Sequence, residues 1–252
     1  MISKNSIRFI NSLRIKKFRN KEGLFIAEGE RLIDELLNSS LTIKTIYHTS
    51  NWDIQIAKTK QEVVQITSEE MKKISGLSTP SNVFALVYIP EYEITEFESQ
   101  KSLTLALDDI QDPGNLGTII RLADWFGIDN IICSQGTVDA FSPKVIQSCM
   151  GAISRVKVIY CNLEETLRDL KAKQNLSIYG TFMEGENIYS ANLSSTGVIV
   201  MGNEGNGISP DIEKIISRKI HIPAFTTDRT VVESLNVAMA TAIVCSEFRR
   251  RF

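Results

Sequence analysis

The chain has few residues that could bind a metal ion, and its cysteines lack the spacings typical of metal or redox sites. Among its 252 residues there are only two histidines, His48 and His221. The four cysteines form no CxxC pair: Cys133, Cys149, Cys161 and Cys245. Structural zinc sites need cysteine or histidine ligands grouped at short spacings. We therefore expect no metal site, and we expect the cysteines to be small buried hydrophobic side chains.

Long hydrophobic runs are also missing. No apolar run approaches the roughly 18 residues that a membrane-spanning helix requires. The N-terminal stretch, MISKNSIRFINSLRIKKF, is too basic and too often interrupted by charge to serve as a secretory signal. Hydrophobic residues make up 43% of the chain and charged residues 23%, as in ordinary globular proteins. The sequence predicts a cytoplasmic protein of one large or two medium domains, with no membrane segment.

The chain carries little net charge, but its basic residues are unevenly distributed. The net charge is −2, which taken alone argues against a nucleic-acid partner. A run of basic residues nevertheless precedes the first acidic residue, Glu22: Lys4, Arg8, Arg14, Lys16, Lys17, Arg19 and Lys21. Arg249, Arg250 and Arg251 form a second basic cluster near the other end. Each cluster is either a phosphate-binding patch or a solvated, partly disordered tail, and composition leaves both interpretations open.

Residues 20–90 are predicted to form a small α/β domain. Strand-like apolar runs occur at 24–27, 43–48, 63–66 and 83–89, and helical apolar stripes occur at 30–37 and 69–74. The segment 90–101, PEYEITEFESQK, is acidic and opens with proline, so it is the predicted linker. We therefore expect one domain at residues 1–95 and a second at residues 96–252.

Strands and helices alternate regularly in the second domain. Apolar strands are predicted at 103–110, 130–133, 156–160, 177–181, 198–201 and 219–223. Helices are predicted at 117–127, 163–173 and 234–250. Two more helices are predicted from cap-and-proline pairs: one starts at Ser142-Pro143, and the other runs from Ser209-Pro210 to about residue 217. Strands that are apolar on both faces indicate an α/β fold with a parallel sheet covered on both sides. Ligands of such sheets bind at the carboxyl ends of the strands.

The helix predicted at 234–250 has almost no polar face. A helix that is apolar all round is buried on more than one side. In so small a domain a second subunit would supply the other cover, which predicts a homodimer through this helix. Burial as a central helix within one chain is the alternative.

Three polar segments interrupt the second domain near predicted strand ends. The first contains Asn115, which is suited to cap a helix, and leads to Arg121. Arg121 lies opposite the apolar stripe, where it would either pair with Asp124 or grip an RNA phosphate. The second, GNEGNG at 202–207, contains Glu204 and lacks both the P-loop and the dinucleotide-binding spacings. A plain tight turn is the alternative to a binding site there.

The third polar segment joins Ile222 and Pro223 to Ser234 and Asn236. Ser234 occupies the predicted N-cap position of the last helix. Capping by Ser234 does not account for Asn236, a polar residue at the start of a helix that is otherwise apolar.

In their order along the chain, these segments resemble the three motifs of the SpoU/TrmH RNA methyltransferases. The motifs are NLGTIIRLADWFG at 115–127, IVMGNEGNGIS at 199–209, and IPAF followed by ESLNVAMATAI within 222–243. The resemblance implies methyl transfer from S-adenosylmethionine to a ribose 2'-hydroxyl of RNA, by a homodimer whose catalytic domain contains a deep trefoil knot. The stretch FRNKEGLFIAEGERLIDELL at 18–37 resembles an L30e-like substrate-binding domain, which favours ribosomal over transfer RNA.

The same resemblance implies roles for individual positions. Those that match cofactor-binding residues of the family are Thr181, Met201, Gly202, Gly205, Ile222 and Leu235. Those that match its catalytic end are Asn115, Arg121, Glu204, Ser234 and Asn236. A guanidinium stays protonated in proteins, so we expect Arg121 to fix the 3'-phosphate and stabilise a developing alkoxide, with the proton acceptor left open. The segment AFTTDRTVVE at 224–233 is longer than the family's connection, so its cofactor contacts are also open.

Other functions compete with this interpretation. An RNA-binding protein of the same fold without activity is disfavoured because Arg121, Glu204 and Asn236 are all present. A transfer-RNA 2'-O-methyltransferase and a base methyltransferase of a related knotted family stay open. A dinucleotide-dependent oxidoreductase is disfavoured because its glycine fingerprint is missing.

Overall fold

The computed structural model describes residues 2–50, 52, 61–94, 102–174, 176–225 and 234–251. Contacts within the chain divide it into two units. The first contains Met1–Glu91 and Asp139–Arg155, and the second contains Tyr92–Val138 and Val156–Phe252. The division predicted at residue 95 assigns 139–155 to the second domain, whereas the contacts group this segment with the first unit.

The first unit is built on a four-stranded sheet. Its strands are β1 (Leu24–Glu28), β2 (Ile43–His48), β3 (Glu62–Gln65) and β4 (Val83–Tyr88), in the sheet order β1-β4-β2-β3. Its helices are α1 (Lys4–Ser12), α2 (Lys16–Glu22), α3 (Glu30–Leu37), α4 (Ser68–Ile74) and α6 (Pro143–Ser148). β4 pairs antiparallel with β1 and β2, whereas β3 runs parallel to β2. The predicted strands and helices of this unit agree with these bounds within the usual uncertainty of element ends.

Two arginines of the N-terminal basic run are bound into the first unit. Arg19 is only 3% exposed, and its guanidinium donates to the Asp139 carboxylate at 2.9 and 2.5 Å. Arg14 donates to a main-chain carbonyl at 2.5 Å and lies 3.6 Å from the Glu28 carboxylate. The remaining cations of the run are exposed: Lys4, Arg8, Lys16, Lys17 and Lys21. Two cations of the basic run therefore stabilise the first unit, and the other five lie on its surface.

The second unit is built on a six-stranded sheet. Its strands are β5 (Leu103–Leu107), β6 (Asn130–Ser134), β7 (Lys157–Cys161), β8 (Ile178–Asn187), β9 (Gly197–Met201) and β10 (Arg218–His221). They lie in the order β10-β8-β9-β5-β6-β7, and every pairing is parallel. Its helices are α5 (Pro113–Trp125), α7 (Leu163–Gln174), α8 (Pro210–Glu213) and α9 (Val237–Arg249).

Helices cover both faces of the six-stranded sheet. On one face, Ala106 and Ile178 belong to a buried cluster with Leu167 of α7. Side chains alternate along a strand, so Tyr179 points to the other face. There its ring packs edge-on against Phe248 of α9, with ring centroids 5.0 Å apart. The predicted parallel sheet with helices on both sides is confirmed.

Several predicted boundaries in the second unit are wrong. α5 begins at Pro113 instead of residue 117, because Asp112, not Asn115, is its N-cap and accepts a hydrogen bond from the Asn115 N–H at 2.9 Å. α8 ends at Glu213 instead of residue 217. β8 continues to Asn187, past its predicted end at 181, because its last residues pair with β10 after a break in register.

The last helix also differs from its prediction. α9 begins at Val237 with Asn236 as its N-cap, so Ser234 is not the cap. Cys245 and Phe248 are fully buried, whereas Met239 is 55% exposed. The helix therefore has one apolar face in the core and a second apolar face on the surface of this chain. No described helix is long and apolar enough to span a membrane, and the predicted linker lies largely in residues 95–101, outside the described residues.

The C-terminal arginines are held by the fold. Arg249 donates to two main-chain carbonyls at the end of α5, each at 2.7 Å. Arg250 and Arg251 both donate to the Glu247 carboxylate at 2.7 Å. Arg251 also donates to main-chain carbonyls that follow β8, at 2.9 Å. The hydrogen bonds from Arg250, and then those from Arg251, lower the pKa of Glu247 to about 2.

A Glu247→Gln variant is expected to be less stable than the parent protein in a pH-dependent way. The folded pKa of about 2 lies below the unfolded value of about 4.3. A group with a lowered folded pKa contributes stability that is present above the unfolded value and is lost as pH falls through the folded value. Near neutral pH we expect the variant to lose on the order of 1 kcal/mol.

Urea unfolding followed at about pH 7, 4 and 3 measures this difference. The difference should shrink as the pH falls, and a difference of constant size would contradict the interpretation. Glu164→Gln is the matched control, because Glu164 forms an exposed pair with Arg168 that contributes little.

Candidate active site

Four neighbouring strands bring the sequence motifs to one edge of the second sheet. β10, β8, β9 and β5 are adjacent and parallel. Their carboxyl ends therefore meet at the same edge, where parallel sheets bind ligands. The polar segments at 108–112, 202–209 and 222–225 directly follow β5, β9 and β10.

The carboxylate of Glu204 lies at the centre of this edge. Its Oε1 accepts a hydrogen bond from the side-chain amide of Asn115 at 2.9 Å. The main-chain N–H groups of Gln111 and Asp112 donate to the same carboxylate at 3.3 and 3.4 Å. Glu204 thus joins the loop after β9 to the loop after β5 and to the first turn of α5.

Asn236 extends this network to the third motif. Its side-chain oxygen accepts from the N–H groups of Ala238 and Met239, at 3.0 and 3.3 Å, and so caps α9. Its side-chain nitrogen donates to the Asn115 side chain at 2.9 Å. This double role accounts for the polar residue that capping by Ser234 left unexplained. Glu204, Asn115 and Asn236, all predicted to be catalytic, therefore form one hydrogen-bonded chain.

Arg121 and Ser234 lie outside this hydrogen-bonded chain. Arg121 is exposed on α5. Within the described part of the molecule it forms no hydrogen bond or ion pair, so the alternative pairing with Asp124 is wrong. Ser234 is exposed and, among the same described residues, makes no side-chain hydrogen bond. Among the described residues, Arg121 is therefore a cation and Ser234 a hydroxyl without a protein partner.

Two of the predicted cofactor-binding residues lie on the neighbouring strands, and the other four lie in segments that follow these strands or precede α9. Thr181, beyond the stretch of β8 that pairs with β9, donates from Oγ1 to the Val200 carbonyl at 3.2 Å. Met201 ends β9 and is buried, and Gly202 follows it. The other three predicted residues are Gly205 in an exposed turn, half-buried Ile222 after β10, and half-exposed Leu235 before α9.

A sequence profile described as the SpoU rRNA methylase family matches residues 102–246, which is more than half of the chain. The chain belongs to the SpoU rRNA methylase family. A second profile, described as an MRM3-like substrate binding domain, matches residues 4–85.

Individual relatives agree with this membership of the SpoU family. The chain is 30% identical to the 23S rRNA (guanosine(2553)-2'-O)-methyltransferase of Bacillus subtilis, over 94% of this chain and 93% of that protein. A Porphyromonas gingivalis structure described as a TrmH-family RNA methyltransferase is 38% identical, with a TM-score of 0.87 and complete coverage of both chains. An AdoMet-bound rRNA methyltransferase from Sinorhizobium meliloti is 26% identical, with a TM-score of 0.86, over 100% of this chain and 97% of that one.

Sequence reasoning missed two residues that organise this SpoU site. Asn203 accepts from the N–H groups of Gly205 and Asn206 at 2.8 and 3.0 Å, which closes the turn that carries Glu204. Asp108 is 5% exposed and accepts from the Ser209 N–H at 2.7 Å. A charged residue directly after a buried apolar strand was the available signal for Asp108, since buried carboxylates need partners.

The Gly202→Ala variant is expected to distort the loop of this SpoU site. A Cβ at Gly202 would lie 2.3 Å from the Gly207 carbonyl carbon and from the Ile208 nitrogen, so main-chain atoms would have to move. We expect a loss of about 1–3 kcal/mol in stability, measured by thermal unfolding, as for overpacked cores.

Gly205→Ala is the matched control in the same loop. The nearest atom to a Cβ at Gly205 is 3.6 Å away, which is ordinary van der Waals contact. Its stability should stay within about 0.5 kcal/mol of the parent protein. Equal melting temperatures for the two variants would contradict the assignment of Gly202 to close main-chain approach.

Proposed function

We propose that this protein transfers a methyl group from S-adenosylmethionine to a ribose 2'-hydroxyl of ribosomal RNA. The observation that carries the proposal is the hydrogen-bonded chain Glu204–Asn115–Asn236. Three segments that are distant in sequence each contribute one of these side chains. They converge at the edge of a parallel sheet where ligands bind.

The residues at this edge fit an adenosyl donor. When bound, the donor supplies a methyl group activated by a positively charged sulfur. Because Gly202 has no side chain, its main chain can approach the main chain of Gly207 and Ile208, which closes the loop at 202–208. His221 Nδ1, directly before Ile222, is a buried polar atom with no partner among the described residues. Main-chain groups of these segments, together with Thr181, Met201, Gly205, Ile222 and Leu235, would hold the donor.

The remaining side chains have different roles in the proposed reaction. The Glu204 carboxylate is occupied by three donors, so its role is to fix Asn115 and the loop after β5. Arg121 is exposed and unpaired among the described residues, so its guanidinium would bind the RNA phosphate and stabilise negative charge on the ribose oxygen. Ser234 and Asn236 would position the ribose.

The first unit would supply a surface for RNA. Lys4, Arg8, Lys16, Lys17 and Lys21 are exposed on or beside α1 and α2. Ile15 and Phe18 lie among them and are 57% and 36% exposed. Cations attract phosphates, and an exposed ring offers a surface on which a base can stack. The match of this unit to a substrate-binding profile supports the same role.

The substrate class follows from the relatives. The Bacillus subtilis relative is named for methylation of a guanosine in 23S rRNA, which favours ribosomal over transfer RNA here. An rRNA substrate also favours a cytoplasmic location.

We further propose that the second unit contains the trefoil knot of the family. The contacts that bear on it are at the two ends of α9: Arg251 binds carbonyls of the segment after β8, and Asn236 reaches Asn115, so earlier parts of the chain hold the last helix.

A homodimer through α9 and α5 completes the proposal. Met239 is 55% exposed on α9, and Ile243, one turn later, is only half-buried. Arg249 binds the end of α5, which carries Trp125, 82% exposed. Large apolar side chains at this exposure on two neighbouring helices indicate an interface.

Methyl transfer can be tested with the purified protein, S-adenosylmethionine and unmethylated ribosomal RNA. Nuclease digestion followed by mass spectrometry should find a 2'-O-methylated nucleoside. A methylated base would contradict the ribose chemistry, and product from transfer RNA alone would contradict the substrate class. Binding of donor and RNA without any product would identify an inactive RNA-binding protein.

Variants of Arg121 test the proposed role of the guanidinium. Arg121→Ala should lower kcat by about a hundredfold or more, as does the loss of a group that stabilises developing charge. Arg121→Lys should stay at least about tenfold impaired, because an ammonium cannot bind a phosphate in a bidentate manner. Arg168→Ala removes an exposed arginine of α7 and should leave kcat unchanged. Near-normal turnover by the lysine variant would rule out bidentate binding.

The dimer is tested by charge placed on the exposed apolar surface. Met239→Glu and Trp125→Glu should each convert the protein to monomers, because burying an unpaired carboxylate in an interface is unfavourable. Light scattering coupled to size-exclusion chromatography measures the mass. Met150→Glu, at a methionine of the first unit that is 45% exposed, should leave the mass unchanged. A parent protein that is already monomeric would refute the dimer.

A further inference from the structure

Asp109 has an unusual backbone conformation at the edge of the candidate site. It follows β5 by two residues and has a φ of +59°. Among the described residues, the other non-glycine residue with positive φ is Met150. The left-handed region costs free energy for residues that carry a Cβ, although less for Asp and Asn than for others, so hydrogen bonds from the surroundings can hold Asp109 there.

Hydrogen bonds hold each polar group of Asp109. Its N–H donates to Ser134 Oγ at 2.8 Å, and its carbonyl accepts from Asn203 Nδ2 at 2.7 Å. Its carboxylate accepts from Gln111 Nε2 at 2.6 Å. The carboxylate also needs the space beside Gly136, where a Cβ would lie 2.2 Å from Asp109 Oδ1. The strained turn is therefore fixed from three sides.

The left-handed turn at Asp109 determines which way the following N–H groups point. Before the turn, the Asp108 N–H donates to the Met201 carbonyl at 2.9 Å and continues the sheet ladder. After it, the N–H groups of Gln111 and Asp112 donate to the Glu204 carboxylate. A right-handed conformation at this position would send the chain in another direction and remove these donors from Glu204.

Asn203 couples the same turn to the loop that carries Glu204. One end of its side chain donates to the Asp109 carbonyl at 2.7 Å. The other end accepts from the N–H groups of Gly205 and Asn206, on the far side of Glu204. The loops after β5 and β9 therefore meet twice, once at Asn203 and Asp109 and once at Glu204.

We propose that Asp109 and Asn203 are positioning residues for the methyl-transfer site. The left-handed turn at Asp109, fixed by Asn203, sets Glu204 against Asn115 and the two N–H groups. Neither residue has to touch RNA or donor for this role. The inference rests on the proposed function, because it concerns the arrangement of that same site.

Three substitutions at Asp109 separate backbone conformation from side-chain chemistry. Asp109→Asn keeps an acceptor for Gln111, and asparagine tolerates the left-handed region, so kcat should stay within about threefold of the parent. Asp109→Gly loses the side chain but adopts positive φ freely, so its kcat should fall by less than about tenfold. Asp109→Ala loses both features, and its kcat should fall by about a hundredfold, as for a misplaced catalytic group.

The affinity for S-adenosylmethionine alone, measured by calorimetry, provides a second readout. We expect it to change by less than about threefold in all three variants, because Thr181 and Met201 lie on other strands and Ile222 follows β10. Met150→Gly is the matched control, since it relieves the same kind of backbone strain in the first unit and should leave kcat unchanged. Equal losses of kcat in the glycine and alanine variants, or parent activity in the alanine variant, would overturn the proposal.

Asn203→Asp provides an independent variant in case Asp109→Ala does not fold. The aspartate keeps the acceptor for the turn at 205–206 but cannot donate to the Asp109 carbonyl. Its kcat should fall as in Asp109→Ala, and combining it with Asp109→Gly should cost less than the product of the single effects. Independent, multiplicative effects would overturn the proposed coupling.

Hydrogen exchange distinguishes failure of this inference from failure of the proposed function. Peptides that cover 108–116 should exchange faster in Asp109→Ala than in Asp109→Gly or the parent protein, whatever reaction is catalysed. If the parent protein methylates no RNA, the proposed function fails while exchange still decides the role of the turn. Unchanged exchange in the alanine variant would overturn that role.

Discussion

Parallel pairing of β5 with β9 is the constraint on which the candidate site depends. Leu107 pairs with Met201 at the ends of these strands, and the ladder continues into the next N–H group. Glu204 and Gln111 are therefore neighbours although they are 93 positions apart in the sequence. Pairing within the sheet already offsets the conformational entropy lost in bringing the two strand ends together. The polar loops therefore need to order only a few residues each. A precise hydrogen-bond network can thus form on an exposed edge.

This arrangement separates groups that are already satisfied from groups that are free. Glu204, Asn115 and Asn236 bind one another, and polar groups held in this way need no reorganisation when a ligand arrives. The Arg121 guanidinium has no such partner among the described residues. In the proposed reaction, the fixed set would define the geometry and Arg121 would meet the phosphate. An exposed arginine without a partner among the described residues is well suited to bind an anionic ligand.

Hydrophobic pattern predicted β5 and β9 well, because burial on both faces leaves a continuous apolar run in each of these two strands. It was insufficient for helix starts, since Asp112 and Asn236 are polar residues whose capping role depends on local geometry. The site residues were predicted through family motifs, whereas their connections were not. No periodicity indicates that Asn236 binds Asn115, 121 positions away, or that Asp109 adopts positive φ. Such facts follow from tertiary contacts alone.

The basic residues show why counting charges does not locate an RNA surface. Arg19, with its planar group of donors, is buried against Asp139, and the last three arginines bind carbonyls or Glu247. Arginine is well suited to such structural contacts because its donors have a fixed, forked geometry. The lysines of α1 and α2 instead remain exposed, as expected for a strongly hydrated ammonium group. In the proposed complex, therefore, fewer phosphates would be contacted than the number of cations in the sequence suggests, and the salt dependence of binding would be correspondingly shallow.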